Sequence, residues 1–402
     1  MAEVSSFPLS RRVQNMSESA TIKMAQLARD LKAKGHDVIS LSLGEPDFDT
    51  PNHIKEAAKK ALDDGYTKYT PVPGLMDLRE SIVTKFKRDN DLDFDVNQIV
   101  VSNGAKQSIA NLCLALLDEG DEVVIFTPYW VSYYEIVRLA GGVPVTVSAG
   151  IENDYKVTAK QVEASITEKT KMVLFSSPCN PTGSVYSKEE LTEIGNVISK
   201  HEGIFIVSDE IYEYINFTGQ HASIGAVPSV KDRTITVNGF AKGFAMTGWR
   251  LGYIGAPKWI AAACAKIQGQ FTSGANAFSQ KAAAHALLAD MSETDKMREE
   301  FLKRRDIVIG LLSEIPGFKV NCPPGAFYIF PDISDYFGKT DGTVTINNAN
   351  EFCEYILMKG FVAVVTGSAF GADNCFRFSY AASEPELREA VRRIAEVVSK
   401  LK

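Results

Sequence analysis

Lys242 stands in Gly239-Phe240-Ala241-Lys242-Gly243-Phe244, among small and apolar residues with no acidic neighbour in sequence. An amine placed this way loses solvation, which lowers its pKa and makes it a nucleophile toward a carbonyl. The plainer alternative is a surface lysine in a flexible loop. Eight residues on, Arg250 carries the guanidinium fork that can clamp a phosphate. Asp209, in Ser208-Asp209-Glu210-Ile211-Tyr212, follows the apolar run GIFIV (203–207). A carboxylate there needs a partner, such as a cationic ring nitrogen, unless it simply caps a helix.

Four further segments belong to the same argument. Asn180 is held between two prolines in Ser177-Pro178-Cys179-Asn180-Pro181-Thr182-Gly183. Trp130, in Thr127-Pro128-Tyr129-Trp130, offers a flat face to a planar ring or fills a core. Asn103-Gly104-Ala105-Lys106 opens a helix, and small residues there let backbone N–H groups approach an anion. Arg377, between Phe376 and Phe378, either faces solvent by simple alternation or is held to fork onto a carboxylate. Each feature alone also has an ordinary structural explanation. Together they supply an anion cradle, a flat aromatic, an amide, a carboxylate, a nucleophilic amine and two arginines. Pyridoxal 5′-phosphate (PLP) requires that set: a phosphate site, a stacking partner, a hydrogen bond to its phenolic oxygen, an acid at its ring nitrogen and a lysine for its aldehyde.

Such residues must be placed by elements that end near one another. Short apolar runs read as strands: VISLSL (38–43), IVVS (99–102), EVVIF (122–126), KMVLFS (171–176), GIFIV (203–207) and TITVN (234–238). Most are apolar on both faces, as strands covered by helices on both sides should be. Helical stretches lie between them. Ile109, Leu112, Cys113 and Leu116 make one stripe in 105–117. The alternation predicts an α/β fold whose large domain has a mostly parallel mixed sheet covered by helices. In such sheets ligands bind at the carboxyl ends of the strands, where the residues named above fall, apart from Arg377 in the last third of the chain. The last third changes character and predicts a smaller α+β domain. A helical region over roughly 277–313 leads into AFYIF (326–330), a helix at 349–359 stopped by Gly360, VAVV (362–365) and CFRFS (375–379). The final helix opens with Ser383-Glu384-Pro385-Glu386, a capping-box pattern, and lines up Leu387, Val391, Ile394 and Val398.

Composition narrows the function classes. The 402 residues are 45% hydrophobic and 23% charged, with a net charge of -7, which argues against a nucleic-acid partner. No apolar run approaches the length of a membrane span, and the start lacks the apolar region of an export signal. The six cysteines are scattered, as expected of reduced thiols in a cytoplasmic protein. The five histidines are isolated in sequence, and no metal site is expected. No G-x-G-x-x-G follows the first strand, so a Rossmann dehydrogenase is set aside.

Several stretches resemble the class I aminotransferases of the fold-type I PLP enzymes, especially the bacterial aspartate aminotransferase subgroup, some of which also use prephenate. These are SRRVQ (10–14), LSLGEPDFDTP (41–51), YTPVPGLMDLRE (69–80), PYWVSY (128–133), NPTG (180–183), SDEIY (208–212), AKGFAMTGWRLGY (241–253), PGAFY (324–328) and FRFSYA (376–381). The resemblance implies that Lys242 bonds the cofactor aldehyde and then moves the substrate's Cα proton. It implies that Asp209 keeps the ring nitrogen protonated, that Tyr212 and Asn180 hydrogen-bond the phenolic oxygen, and that Trp130 stacks on the ring. Gly104, Ala105 and Arg250 would hold the phosphate, with Tyr69 reaching in from the other subunit of a homodimer. Arg377 would bind the substrate α-carboxylate, helped by backbone at Gly44. The loop at Gln268-Gly269-Gln270-Phe271 lacks the arginine with which animal and enteric aspartate aminotransferases grip a distal carboxylate. Lys106 and Thr21 stand where the resembled subgroup binds that group instead. Gly239 and Ala241 also replace the phosphate-binding serines of the enteric type.

The expected division is an N-terminal segment 1–50 packing with the small domain, a PLP-binding domain 51–295 and a C-terminal domain 296–402. The expected reaction joins L-aspartate and 2-oxoglutarate to oxaloacetate and L-glutamate. A glutamate/aspartate-prephenate aminotransferase is the nearest rival, and an aromatic or alanine aminotransferase the next. A PLP lyase or a PLP-binding regulatory module stays open, although the chain leaves no room for a DNA-binding domain before Ser10 or after the last helix.

Overall fold

A computed structural model describes residues 9–17 and 20–402. Among the described residues, twelve strands form three sheets. In chain order they are β1 (Ile39–Ser40), β2 (Ile99–Ser102), β3 (Glu122–Thr127), β4 (Val143–Ser148), β5 (Thr170–Ser176), β6 (Phe205–Asp209), β7 (Thr234–Gly239), β8 (Gly252–Gly255), β9 (Tyr328–Ile329), β10 (Val362–Ala363), β11 (Val365–Thr366) and β12 (Phe376–Ser379). The large sheet has the order β2-β8-β7-β6-β5-β3-β4, with every pairing parallel except those of β8, which runs against β2 and β7.

The buried strands are the ones that sequence marks best. β2 and β7 are buried along their whole length, and β3, β5 and β6 except near their first residues. Two strands carry no such signal. β4 is the sheet edge, contains Pro144 and alternates between half-buried and exposed residues. β8, Gly-Tyr-Ile-Gly, is bracketed by residues that weaken strands, yet its glycines are packing requirements. A Cβ at Gly255 would lie 2.9 Å from Phe86, and one at Gly252 would overlap the backbone of Gly104 and Ala105.

Three other expectations need correction. The helical region 277–313 is two helices, Ala277–Leu288 and Ser292–Ser313, with Asp290 accepting the Ser292 N–H at 2.8 Å in the break. Gly360 is the last residue of the helix Ala349–Gly360, and Phe361, with φ 54°, ends it while stacking on His36. Residues 268–271 are the last turn of the helix Lys258–Phe271, not a loop. Gln268 is buried there and donates to the carbonyls of Val72 and Val101. The final helix, Glu384–Val398, has its Ser383/Glu386 capping box, and Leu387, Val391, Ile394 and Val398 are all buried.

The smaller sheets tie the chain ends together. β1 pairs in parallel with β10, and β11-β12-β9 is antiparallel. One hydrophobic core joins Met24, Ala28 and Leu41 to Phe301, Phe327, Phe376 and Ile394. No helix among the described residues is long and apolar enough to cross a membrane.

Candidate active site

Five strands of the large sheet end at one edge, and each delivers a residue. β7 leads to Lys242, β6 ends in Asp209, β5 leads to Asn180, β3 to Trp130 and β2 to Gly104. Because β8 is reversed, its first residue, Gly252, pairs with Ser102 and Gly239 at this same edge, which places Arg250 there too. These residues line a cavity of about 300 Å³, together with Thr21, Gly44, Lys106, Tyr212 and Arg377. Tyr69 is not among its walls. It is 100% exposed.

Lys242 is not a surface lysine. Its Nζ donates to the Gly44 carbonyl, and the residue lines the cavity. Burial, reinforced by the Arg377 cation, lowers its pKa to about 8. Asp209 does not cap a helix, since only turns follow it. Its Oδ2 accepts from the Tyr133 hydroxyl at 2.6 Å and its Oδ1 from the Ile211 N–H at 3.2 Å. Burial nevertheless pushes its pKa up to about 6, outweighing the Tyr133 and Ile211 hydrogen bonds and the Lys242 cation, which pull it down.

Arg377 is 2% exposed, so the solvent-facing alternative fails. Its Nη1 donates to Asn180 Oδ1 at 3.0 Å and its Nη2 to the Ser42 carbonyl at 2.5 Å. Nε has no partner among the described residues. Tyr328 and Phe370 lie 4.6 and 5.0 Å from the guanidinium carbon. Both protein partners are neutral, so the buried positive charge lacks a counter-ion.

Gly104, with φ 86°, precedes the helix Ala105–Leu116, whose first turn begins at the cavity wall with the N–H groups that no helix carbonyl satisfies. A Cβ there would lie 3.1 Å from the guanidinium carbon of Arg250, so glycine is what lets cation and helix terminus converge. Lys106 Nζ lies 5.0 Å from the centroid of the half-buried Trp130 ring, and burial and the Arg250 cation depress its pKa. No carboxylate lies within ion-pair distance of Lys106 among the described residues.

Two residues of this site carried no role in the sequence. Tyr133 is buried and holds Asp209. It sits three positions after Trp130, in the helix Ser132–Leu139. That helical spacing was the available signal. Tyr328 is buried and meets the Tyr212 hydroxyl at 2.7 Å. Its place in a short apolar run concealed it. The histidines also differ from expectation, since His53 Nδ1 lies 3.2 Å from His285 Nε2. His221 gathers with Glu210 and Glu213. Lys85 pairs with Glu213 in that cluster, and the Asn90 amide reaches both carboxylates.

The donor set fits PLP. A convergent helix terminus and arginine suit a dianionic phosphate, a buried carboxylate suits a ring N–H, and an amine of lowered pKa suits an aldehyde. The cavity volume suits a small cofactor with its substrate.

Comparison with known proteins agrees with that chemistry. The family model for class I and II aminotransferases matches residues 36–394. A Petunia hybrida protein described as a bifunctional aspartate aminotransferase and glutamate/aspartate-prephenate aminotransferase is 47% identical over 98% of this chain and 83% of its own. The aspartate aminotransferase of Rhizobium meliloti superposes with a TM-score of 0.95 at 41% identity, covering 98% of this chain and all of that one. The Thermus thermophilus aspartate aminotransferase with maleate gives 0.92 at 42%, covering 97% and 100%. The chain therefore belongs to the class I and II aminotransferases, enzymes that work through pyridoxal phosphate.

Proposed function

We propose that this aminotransferase takes dicarboxylic amino acids, with L-aspartate and 2-oxoglutarate as its main pair. The observation that carries this reading is Lys106. It is a cation at the cavity wall with no carboxylate partner among the described residues and with its charge disfavoured by its surroundings. A substrate's distal carboxylate would relieve that condition, and Thr21 lines the same wall. That the Thermus relative was solved with maleate, a dicarboxylate, supports the same substrate class.

In this reading Arg377 forks onto the α-carboxylate, with Gly44 backbone beside it. Lys242 Nζ, once the substrate amine has displaced it from the cofactor, would take the proton from the substrate Cα and pass it to the cofactor's aldehyde carbon, and would carry a proton the opposite way in the second half-reaction. When bound, PLP supplies the sink for the electron pair that this proton leaves behind. Asp209 holds the ring nitrogen's proton, and Tyr133 orients Asp209. Asn180 and Tyr212 donate to the phenolic oxygen. Trp130 covers one ring face, and Gly104, Ala105 and Arg250 hold the phosphate. Tyr69, wholly exposed in one chain, completes the phosphate site of a partner chain in a homodimer.

A prephenate activity has support of its own. A groove of about 730 Å³ shares Lys106, Val131 and Ser132 with the cavity and is walled by Val13, Ile136 and Leu139. It offers apolar room for a ring-bearing substrate. The proposed division into 1–50, 51–295 and 296–402 draws support from the pairing of β1 with β10. Cytoplasmic residence draws support from six unpaired cysteines, five of them buried.

Half-reaction spectroscopy tests the proposal. Aspartate and glutamate should convert the absorbance of the lysine-bound cofactor, and oxaloacetate and 2-oxoglutarate should restore it. Restoration by prephenate would make the enzyme bifunctional. Conversion by phenylalanine or alanine, but not by aspartate, would overturn the dicarboxylic reading.

A further inference from the structure

Two phenols face each other behind Lys242. The hydroxyls of Tyr212 and Tyr328 are 2.7 Å apart, and both rings are buried. Burial raises both pKa values, so both phenols keep their protons in the working pH range. Neither hydroxyl has another hydrogen-bond partner among the described residues. At this separation one proton lies between the two oxygens, so one phenol donates and the other accepts. A Tyr212 hydroxyl that donates into the cavity has no proton left for Tyr328. It must then accept the proton of Tyr328.

Tyr328 is held so that this polarity is available. Its ring packs edge-on to Tyr212 with centroids 5.8 Å apart, leans on Phe327 at 4.8 Å and lies 4.6 Å from the Arg377 guanidinium carbon. Its hydroxyl sits where a Cβ of residue 44 would be, so Gly44 leaves room for it. β9 pairs Tyr328 with Ser379 of β12, the strand that also carries Arg377. One small sheet therefore supplies both the carboxylate-binding guanidinium and the phenol behind Tyr212.

We propose that Tyr328 is a positioning residue for the cofactor's phenolic oxygen, acting through Tyr212 by donating a hydrogen bond to it. The inference rests on the PLP reading above. A phenol that accepts a hydrogen bond becomes a stronger donor, because hydrogen bonds in a chain polarise one another. Tyr328 thus strengthens the donation of Tyr212 to the phenolic oxygen. That donation favours the state in which the oxygen carries its fullest negative charge, which is reached when the proton shared with the Lys242 nitrogen has left. The consequence is a lower pH midpoint for that proton, and a base ready to receive one from an incoming amino acid.

The test is a pH titration of the absorbance of the bound cofactor in four holoenzymes: wild type, Tyr328→Phe, Tyr212→Phe and the double variant. Phenylalanine keeps each ring and removes only the hydroxyl. The Tyr328→Phe midpoint should rise by roughly half a unit to one unit, the size expected for one lost hydrogen bond. Tyr212→Phe should rise at least as far, and the double variant should match Tyr212→Phe alone. An unchanged midpoint in Tyr328→Phe overturns the proposal. So does a full Tyr328→Phe shift in the Tyr212→Phe background, because Tyr328 would then act without Tyr212. A wild-type protein that binds no cofactor would overturn the PLP reading along with this one, whereas a normal wild-type titration beside a flat Tyr328→Phe response overturns this one alone.

Discussion

Asp209 illustrates how a buried charge opposes stability in a single side chain. The unfolded chain loses this proton near the ordinary value of 3.8, and the fold raises that value to about 6. Because the folded state binds the proton more tightly, stability falls as pH rises through this window and stays lower above it. The ionised carboxylate costs the cofactor-free fold about 3 kcal/mol at neutral pH. Asp209→Asn in the cofactor-free protein should therefore melt at a higher temperature than wild type at pH 8, with the gain shrinking toward pH 4. A lower melting temperature at pH 8 would mean that Asp209 is already satisfied by Tyr133 and Ile211. Lys106 makes a prediction of substrate choice. Lys106→Ala should reduce kcat/KM for aspartate and glutamate by roughly ten- to a hundredfold, the value of a charge-assisted contact, and leave phenylalanine less affected. Equal losses for all three would remove its distal-carboxylate role. Sequence marked these residues because a charge beside an apolar strand is anomalous. It gave no such mark to Tyr133 or Tyr328, because a tyrosine among apolar residues is ordinary until its hydroxyl partner is known.

Strands were legible where continuous burial falls on apolar side chains. β2, β3, β5, β6 and β7 announce themselves as apolar runs, and the stripe Ile109, Leu112, Cys113 and Leu116 lies buried in its helix. β8 was hidden because its glycines respond to three-dimensional neighbours, and Phe86, Gly104 and Ala105 are all more than a hundred residues away. The break at 289–291 was hidden because the flanking helices both have helical patterns. The packing of β8 predicts a sharp contrast between two glycines. Gly252→Ala should destabilise the protein by about 1–3 kcal/mol, since its Cβ would push on the Gly104–Ala105 turn, and should weaken PLP retention. Gly310→Ala, in the helix Ser292–Ser313 with no atom within 4 Å of the new Cβ, should stabilise by up to about 1 kcal/mol. Melting curves and cofactor dissociation constants for both variants check this.

At the scale of the whole molecule, the proposed homodimer would share its sites, and the exposure of Tyr69 leaves it free to serve a partner chain. Each chain would give its tyrosine to the other's phosphate site, which leads to a complementation test. A Tyr69→Ala chain mixed and refolded with an inactive Lys242→Ala chain should form dimers with one intact site. Activity should then reappear from two preparations that are weak or dead alone. No recovery, with mixed dimers shown by sedimentation, would place the action of Tyr69 within its own chain.

The parallel pairing of Ile39 with Val362 joins residues 323 positions apart, and the Arg377 contact with Ser42 crosses the same seam. During synthesis the N-terminal segment emerges long before its partner strand exists. Met24, Ala28 and Leu41 must wait, solvent-exposed or sheltered elsewhere, until the last helix leaves the ribosome. The pocket proposed for the α-carboxylate would thus be completed late in translation, and a chain truncated before β12 would hold Lys242 and Asp209 without Arg377.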